Sequence, residues 1–248
     1  MRHEALDAFA RDSRFVSVDP RIKLLSVVWV IVVLSFLTGI RTLEAMLGLA
    51  FLLLLISRVP ATHILRHFLL TLPFIGMASL SLALTSGQDA AVLLFMRSSA
   101  SVLLLLFVGS TTPFFDLLRG LQQLRIPQTY IVLLFFLYRY IFVIWNELDR
   151  MDRARMARGF VKQGSLRDGR MVRGITGTAG MVLVRSYERG KRSYRGLLAR
   201  GYTGEIRTLD TLTIGLRDVG FLVVLVGWSV GLLKVETGIG WPGTGVMW

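Results

Sequence analysis

The chain has 248 residues, 53% of them hydrophobic, no cysteine, and 29 Lys and Arg against 16 Asp and Glu, for a formal net charge of +13. Without thiols it forms no disulfide, thiolate nucleophile or cysteine-based zinc site. Such a charge on a soluble protein would point to nucleic acid. Here the apolar residues fall in runs such as Leu24–Ile40 and Leu43–Ile56, and in a membrane protein excess Lys and Arg marks cytoplasmic loops, so nucleic acid is not an expected partner.

A membrane span needs about 20 mostly apolar residues at 1.5 Å of rise each. The first twenty residues carry Arg2, Glu4, Asp7, Arg11, Asp12 and Arg14 and no apolar core, which is not the pattern of a cleavable signal. Asp19 is placed to cap a helix that starts at Pro20. Spans are predicted at 24–40, 42–57, 68–85 (through Pro73 and Gly76) and 90–111, with a basic loop at 58–67 and a loop lacking basic residues at 85–89. By parity the N-terminus and the 58–67 loop are cytoplasmic, and Thr112 returns to the cytoplasm. A last span at 212–233 leaves the tail, 238–248, outside. The expected fold is an all-α membrane protein of about five transmembrane helices plus a basic cytoplasmic domain of long helices, divided as 1–112, 113–210 and 211–248.

Residues 147–210 hold fifteen of the 29 basic residues, which assigns them to the cytoplasm. The apolar stretch 129–145 just before them looks like a further span, but one more crossing would put the basic segment outside. Arg139 also sits in its middle, where a charge is costly. This stretch is therefore expected to lie shallow at the cytoplasmic interface or against other helices.

The basic segment contains a repeat. Met156-Ala157-Arg158-Gly159-Phe160 matches Leu198-Ala199-Arg200-Gly201-Tyr202, and each copy follows a stretch that can be helical (145–158 and 180–200). Glycine just past a helix end accepts a left-handed backbone, and arginine in the last turn complements the helix dipole. Each copy thus reads as a helix end that presents an arginine fork suited to carboxylates. A single copy would be ordinary capping; two copies suit a partner with two similar grooves.

With these motifs the sequence resembles the transmembrane T component of energy-coupling factor transporters, in its cobalt/nickel (CbiQ-type) branch. The resemblance is carried by Asp19-Pro20-Arg21-Ile22-Lys23, Thr111-Thr112-Pro113, Asp116-Leu117-Leu118-Arg119-Gly120-Leu121, Leu124-Arg125-Ile126-Pro127, Tyr138-Arg139-Tyr140 and the two Ala-Arg-Gly motifs. It implies that Ala157, Arg158, Gly159, Ala199, Arg200 and Gly201 dock two ABC-type ATPase subunits. It also implies a substrate-binding membrane subunit of the CbiM type and a small accessory subunit of the CbiN type. The chain itself would bind no ATP, metal or other cofactor, would have no catalytic residue, and would lie in a bacterial inner membrane in contact with its lipids, serving import of cobalt (or nickel), with cobalt tied to cobalamin biosynthesis.

Other signals weigh less. No G-x-x-x-x-G-K-[ST] phosphate loop occurs. His63 and His67 have a metal-compatible spacing but no third ligand nearby. Arg97, inside the fourth span, is expected to snorkel, with pairing inside the bundle as the alternative. Two alternatives stand beside coupling. A self-contained secondary transporter would need ionisable groups near the midplane, and the first four spans lack central Asp or Glu. An interfacial lipid-processing enzyme would need a carboxylate cluster, and Glu147, Asp149 and Asp152 are interleaved with Arg150 and Arg153 as on a salt-bridged solvated helix.

Overall fold

The computed structural model describes residues 13, 15, 18–124, 126–158, 169–203 and 215–238, without the side chains of 169–175 and 237–238. The described residues form eight helices: α1 (Pro20–Phe36), α2 (Ile40–Ile56), α3 (Ala61–Ser86), α4 (Gln88–Thr111), α5 (Phe114–Gln123), α6 (Gln128–Ala157), α7 (Gly169–Ala199) and α8 (Leu216–Gly238). The chain is an all-α membrane protein. By length and composition α3, α4, α6 and α8 each suffice to cross a bilayer. Helices α1 and α2 have 17 residues each, about 26 Å, slightly short of the hydrocarbon core.

Packing divides the chain into two units, one from residues 1–124 and 210–248 and the other from 125–209. In the first, α1 packs on α4, α5 and α8, α2 on α4 and α8, and α3 on α4. The core is a bundle centre in which Val30, Leu34, Leu43, Ala50, Phe107 and Leu225 are buried. Helix α3 lies at the edge, with Leu69, Phe74, Met77 and Leu84 exposed. It runs through Pro73, whose missing N–H leaves the Leu69 carbonyl without its helical donor.

Several boundaries move from those expected. Helix α3 begins at Ala61, so His63, Arg66 and His67 are helical and the connection from α2 is only Ser57–Pro60. The 85–89 loop shrinks to Gly87 at φ +100, a left-handed value that glycine adopts without steric cost. Helix α5 packs on α1, so residues 114–123 join the bundle.

The second unit is a helical pair. Tyr140 hydrogen-bonds Ser193, Glu147 pairs with Arg185 and lies 3.9 Å from Arg189, and Arg155 bonds Thr178. Partners fall along α7 as they rise along α6, so the two helices are antiparallel.

Candidate functional site: two helix ends and a buried polar cluster

The second Ala-Arg-Gly motif terminates α7. Gly201 has φ +77. Its amide donates to the Leu198 carbonyl at 3.0 Å, and the Tyr202 amide donates to the Leu197 carbonyl at 3.1 Å. These two bonds are a Schellman closure, which satisfies the last carbonyls of the helix and requires a left-handed residue in the position Gly201 holds. Arg200, just before it, is exposed, as is Ala199. The first motif terminates α6 in the same way up to its arginine: Arg158 caps the helix, its amide donating to Arg155 and Met156. Ala157 and Arg158 are exposed, and Gly159 lies outside the described residues. Because α6 and α7 are antiparallel, the two arginines sit at opposite ends of the pair, on the order of 35 Å apart at 1.5 Å per residue.

Helix α6 changes character along its length. Tyr130, Leu133, Leu137, Ile141 and Trp145 are all about half or more exposed, and at spacings of three and four they form one face. Arg139 is exposed and, nine residues from Tyr130, lies half a turn away from that face. From Glu147 onward the helix is charged. An apolar stripe with its charge opposite is the pattern of a helix lying in a membrane interface.

The N-terminal motif forms a different site, at the end of the bundle where α1 starts. Asp19 caps α1, accepting from the Arg21 amide at 2.9 Å, and Pro20 occupies the first turn, as the sequence predicts. Arg21 lies 3.7 Å from the Asp19 carboxylate. Lys23 is 1% exposed. A buried ammonium costs several kcal/mol unless its donors are satisfied. Its Nζ donates to the carbonyls of Phe15 (2.7 Å) and Thr111 (3.3 Å) and to Thr112 Oγ1 (3.0 Å). The 19–23 and 111–113 segments, far apart in sequence, are thus one site. The Phe15 ring packs against Phe107 of α4 and Phe221 of α8.

Sequence reasoning missed the two acids that complete the bundle ends. Asp218 accepts from the Gly215 amide, the start of its own helix, and from the Asp19 amide, each at 2.7 Å. The first bond was legible as a capping-box spacing; the second was not. At the other end, Glu236 Oε1 accepts from the Thr38 amide and hydroxyl (2.6 Å each) and the Gly39 amide (2.9 Å), and Oε2 accepts from Thr42 Oγ1 at 3.2 Å. It places a carboxylate at the start of α2, where helix amides are unsatisfied. Arg97, expected to snorkel, instead donates to the buried Leu37 carbonyl at 2.7 Å, because the carbonyls closing α1 have no helical donor.

The rings of His63 and His67 meet at a tilt of 45° with centroids 4.3 Å apart, and His67 Nδ1 donates to the His63 carbonyl at 2.8 Å. Among the described residues no three His, Cys, Asp or Glu are grouped to hold a metal ion.

Residues 13–209 match the CbiQ family, described as cobalt transport protein. The chain belongs to the CbiQ family. It is similar to a cobalt transport protein CbiQ of Rhodobacter capsulatus, 34% identical over 137 residues, which is 55% of this chain and 54% of that one. The chain thus spans about half the length of this relative. An uncharacterized protein of Methanocaldococcus jannaschii is 24% identical over 90% of this chain and 83% of its own length. A Methanocorpusculum labreanum protein whose name describes a fused cobalt transport protein CbiMQ is 31% identical over 48% of this chain and 19% of its own length.

Proposed function

We propose that this CbiQ-family chain is the membrane coupling subunit of an ATP-driven cobalt importer, with Arg158 and Arg200 docking two ABC-type ATPase subunits. The observation that carries this is the pair of exposed Ala-Arg ends at opposite ends of antiparallel α6 and α7. Two separated arginine forks suit two separate acidic grooves, and the Schellman closure at Gly201 fixes the direction of the second. Nucleotide-driven motion of the ATPases would shift α6 and α7, and that shift would reorient a CbiM-type metal-binding membrane subunit. The fused CbiMQ relative supports a CbiM-type neighbour; a CbiN-type accessory subunit follows from the family resemblance alone.

The bundle supports a cytoplasmic place for residues 113–215. The chain leaves α4 at Thr111, beside Lys23, and returns into α8 at Asp218, beside Asp19. Departure and return are at one end, so the intervening segment crosses the membrane an even number of times. Helix α7, rich in arginine, does not supply a second crossing, and α6 therefore lies in the interface on the side of the N-terminus. Positive-inside bias makes that side the cytoplasm, and the end of α8 faces outward.

Purified chain alone in liposomes should move no cobalt, whereas the chain with its ATPases and CbiM-type subunit should import it on ATP. Uptake by the chain alone would reinstate the secondary transporter.

A further inference from the structure

The bundle elements from which the chain leaves for residues 125–209, and into which it returns, are fastened to a single turn of helix. On the outgoing side, Lys23 holds the end of α4 through the Thr111 carbonyl and Thr112 Oγ1. Helix α5, which follows, is seated on the same turn. Gly120 lies so close that an added Cβ would be 3.4 Å from the Arg21 amide nitrogen, 3.5 Å from Arg21 Cγ and 3.6 Å from the Pro20 carbonyl carbon. On the returning side, Asp218 ties the start of α8 to the Asp19 amide. All these fastenings fall within Asp19–Lys23. At its far end α8 is also tied to the residues that follow α1, by Glu236 on Thr38 and Gly39, so α1 and α8 are joined at both ends.

We propose that the first turn of α1 is the mechanical anchor of the coupling segment: a displacement of α6 and α7 is delivered through it to α1 and α8 as one body, instead of being absorbed in the two connections. This rests on the coupling role above and adds the residues that transmit it. Lys23, Gly120 and Asp218 are positioning residues, which touch neither metal nor nucleotide. Loosening either connection lets ATP hydrolysis run while transport fails. The anchor itself stays closed throughout the cycle.

The test uses the full complex in proteoliposomes and reads cobalt imported per ATP hydrolysed. Gly120→Ala places its methyl at ordinary contact distance and should keep that ratio, whereas Gly120→Leu has no room and should lift α5 from α1. Asp218→Ala releases α8 from Asp19. Gly120→Leu and Asp218→Ala should each retain the ATPase subunits and their hydrolysis while the ratio falls about tenfold. An unchanged ratio in either assembled variant, or loss of the ATPases along with transport, would overturn the anchor. Absence of ATP-driven uptake by the unaltered complex would instead overturn the coupling role.

A lock covers the case in which those variants fail to accumulate. The chain has no cysteine, so an Arg21→Cys, Gly120→Cys pair can be joined selectively. The oxidised form should match the ratio of its reduced form; inhibition by the disulfide would mean that the anchor must open, and would overturn the proposal.

Discussion

Asp218 accepts a 2.7 Å hydrogen bond from the backbone amide of Asp19, 199 positions earlier in the chain. One carboxylate thereby caps two helices, because its second oxygen holds the Gly215 amide. Helices α1 and α8 consequently start at the same end of the bundle and run parallel, and Glu236 closes the other end. The proposed cytoplasmic place of residues 113–215 rests on this pairing.

The placement is directly measurable. A cysteine at Gln88, the first residue of α4, should react with an impermeant maleimide from the outside of intact cells. A cysteine at Thr203, just past α7, should react only after the cytoplasmic side is opened. Labelling of both from one side would reject the proposed topology.

Glu236 satisfies two backbone amides and two hydroxyls around the start of α2. Glu236→Ala leaves those donors without their acceptor and should destabilise the detergent-solubilised chain by about 1–3 kcal/mol, read as a lower thermal midpoint. Glu236→Gln keeps a carbonyl acceptor and should lose less. Equal midpoints for all three forms would mean that the carboxylate does not clip α8 to the turn after α1.

Arg97 offers a similar comparison. Arg97→Met preserves length and apolar contact but removes the donor to Leu37, and should cost about 1–2 kcal/mol. Were Arg97 snorkelling to the surface, methionine would be tolerated or stabilising. The same thermal assay distinguishes the two.

At Gly201 the prediction concerns a helix end. Gly201→Ala forces a side chain into φ +77 and should cost about 1 kcal/mol, fraying α7 and weakening ATPase recovery. Gly201→Asn tolerates the left-handed region better and should retain more of the ATPase. The opposite order would mean that the Schellman closure is not what presents Arg200.

What the sequence made legible was local. Asp19 before Pro20 reads as a helix start because a cap needs only its own next residues, and Gly201 reads as a helix end because the left-handed position admits few other residues. The ends of α6 and α7 were expected at 145–158 and 180–200, but both helices start earlier, at Gln128 and Gly169. The long-range partners of Lys23, Arg97, Asp218 and Glu236 were not legible. Each bonds a backbone group or hydroxyl that any residue, or many, can supply, so composition carries no trace of the pairing. Segment ends such as Ala61 shifted because His63, Arg66 and His67 read as loop residues, although a helix leaving the hydrocarbon core continues readily through polar residues.

The central claim is that the two helix ends dock ATPases. The most direct measurement is affinity purification of the tagged chain and of its Arg158→Glu, Arg200→Glu variant from native membranes in mild detergent, with the co-purifying proteins identified by mass spectrometry. The unaltered chain should bring an ABC-type ATPase and a CbiM-type membrane subunit, and the variant should reach the membrane in equal amount with the ATPase lost. Equal ATPase recovery from both forms, or recovery of the unaltered chain alone, would contradict the account.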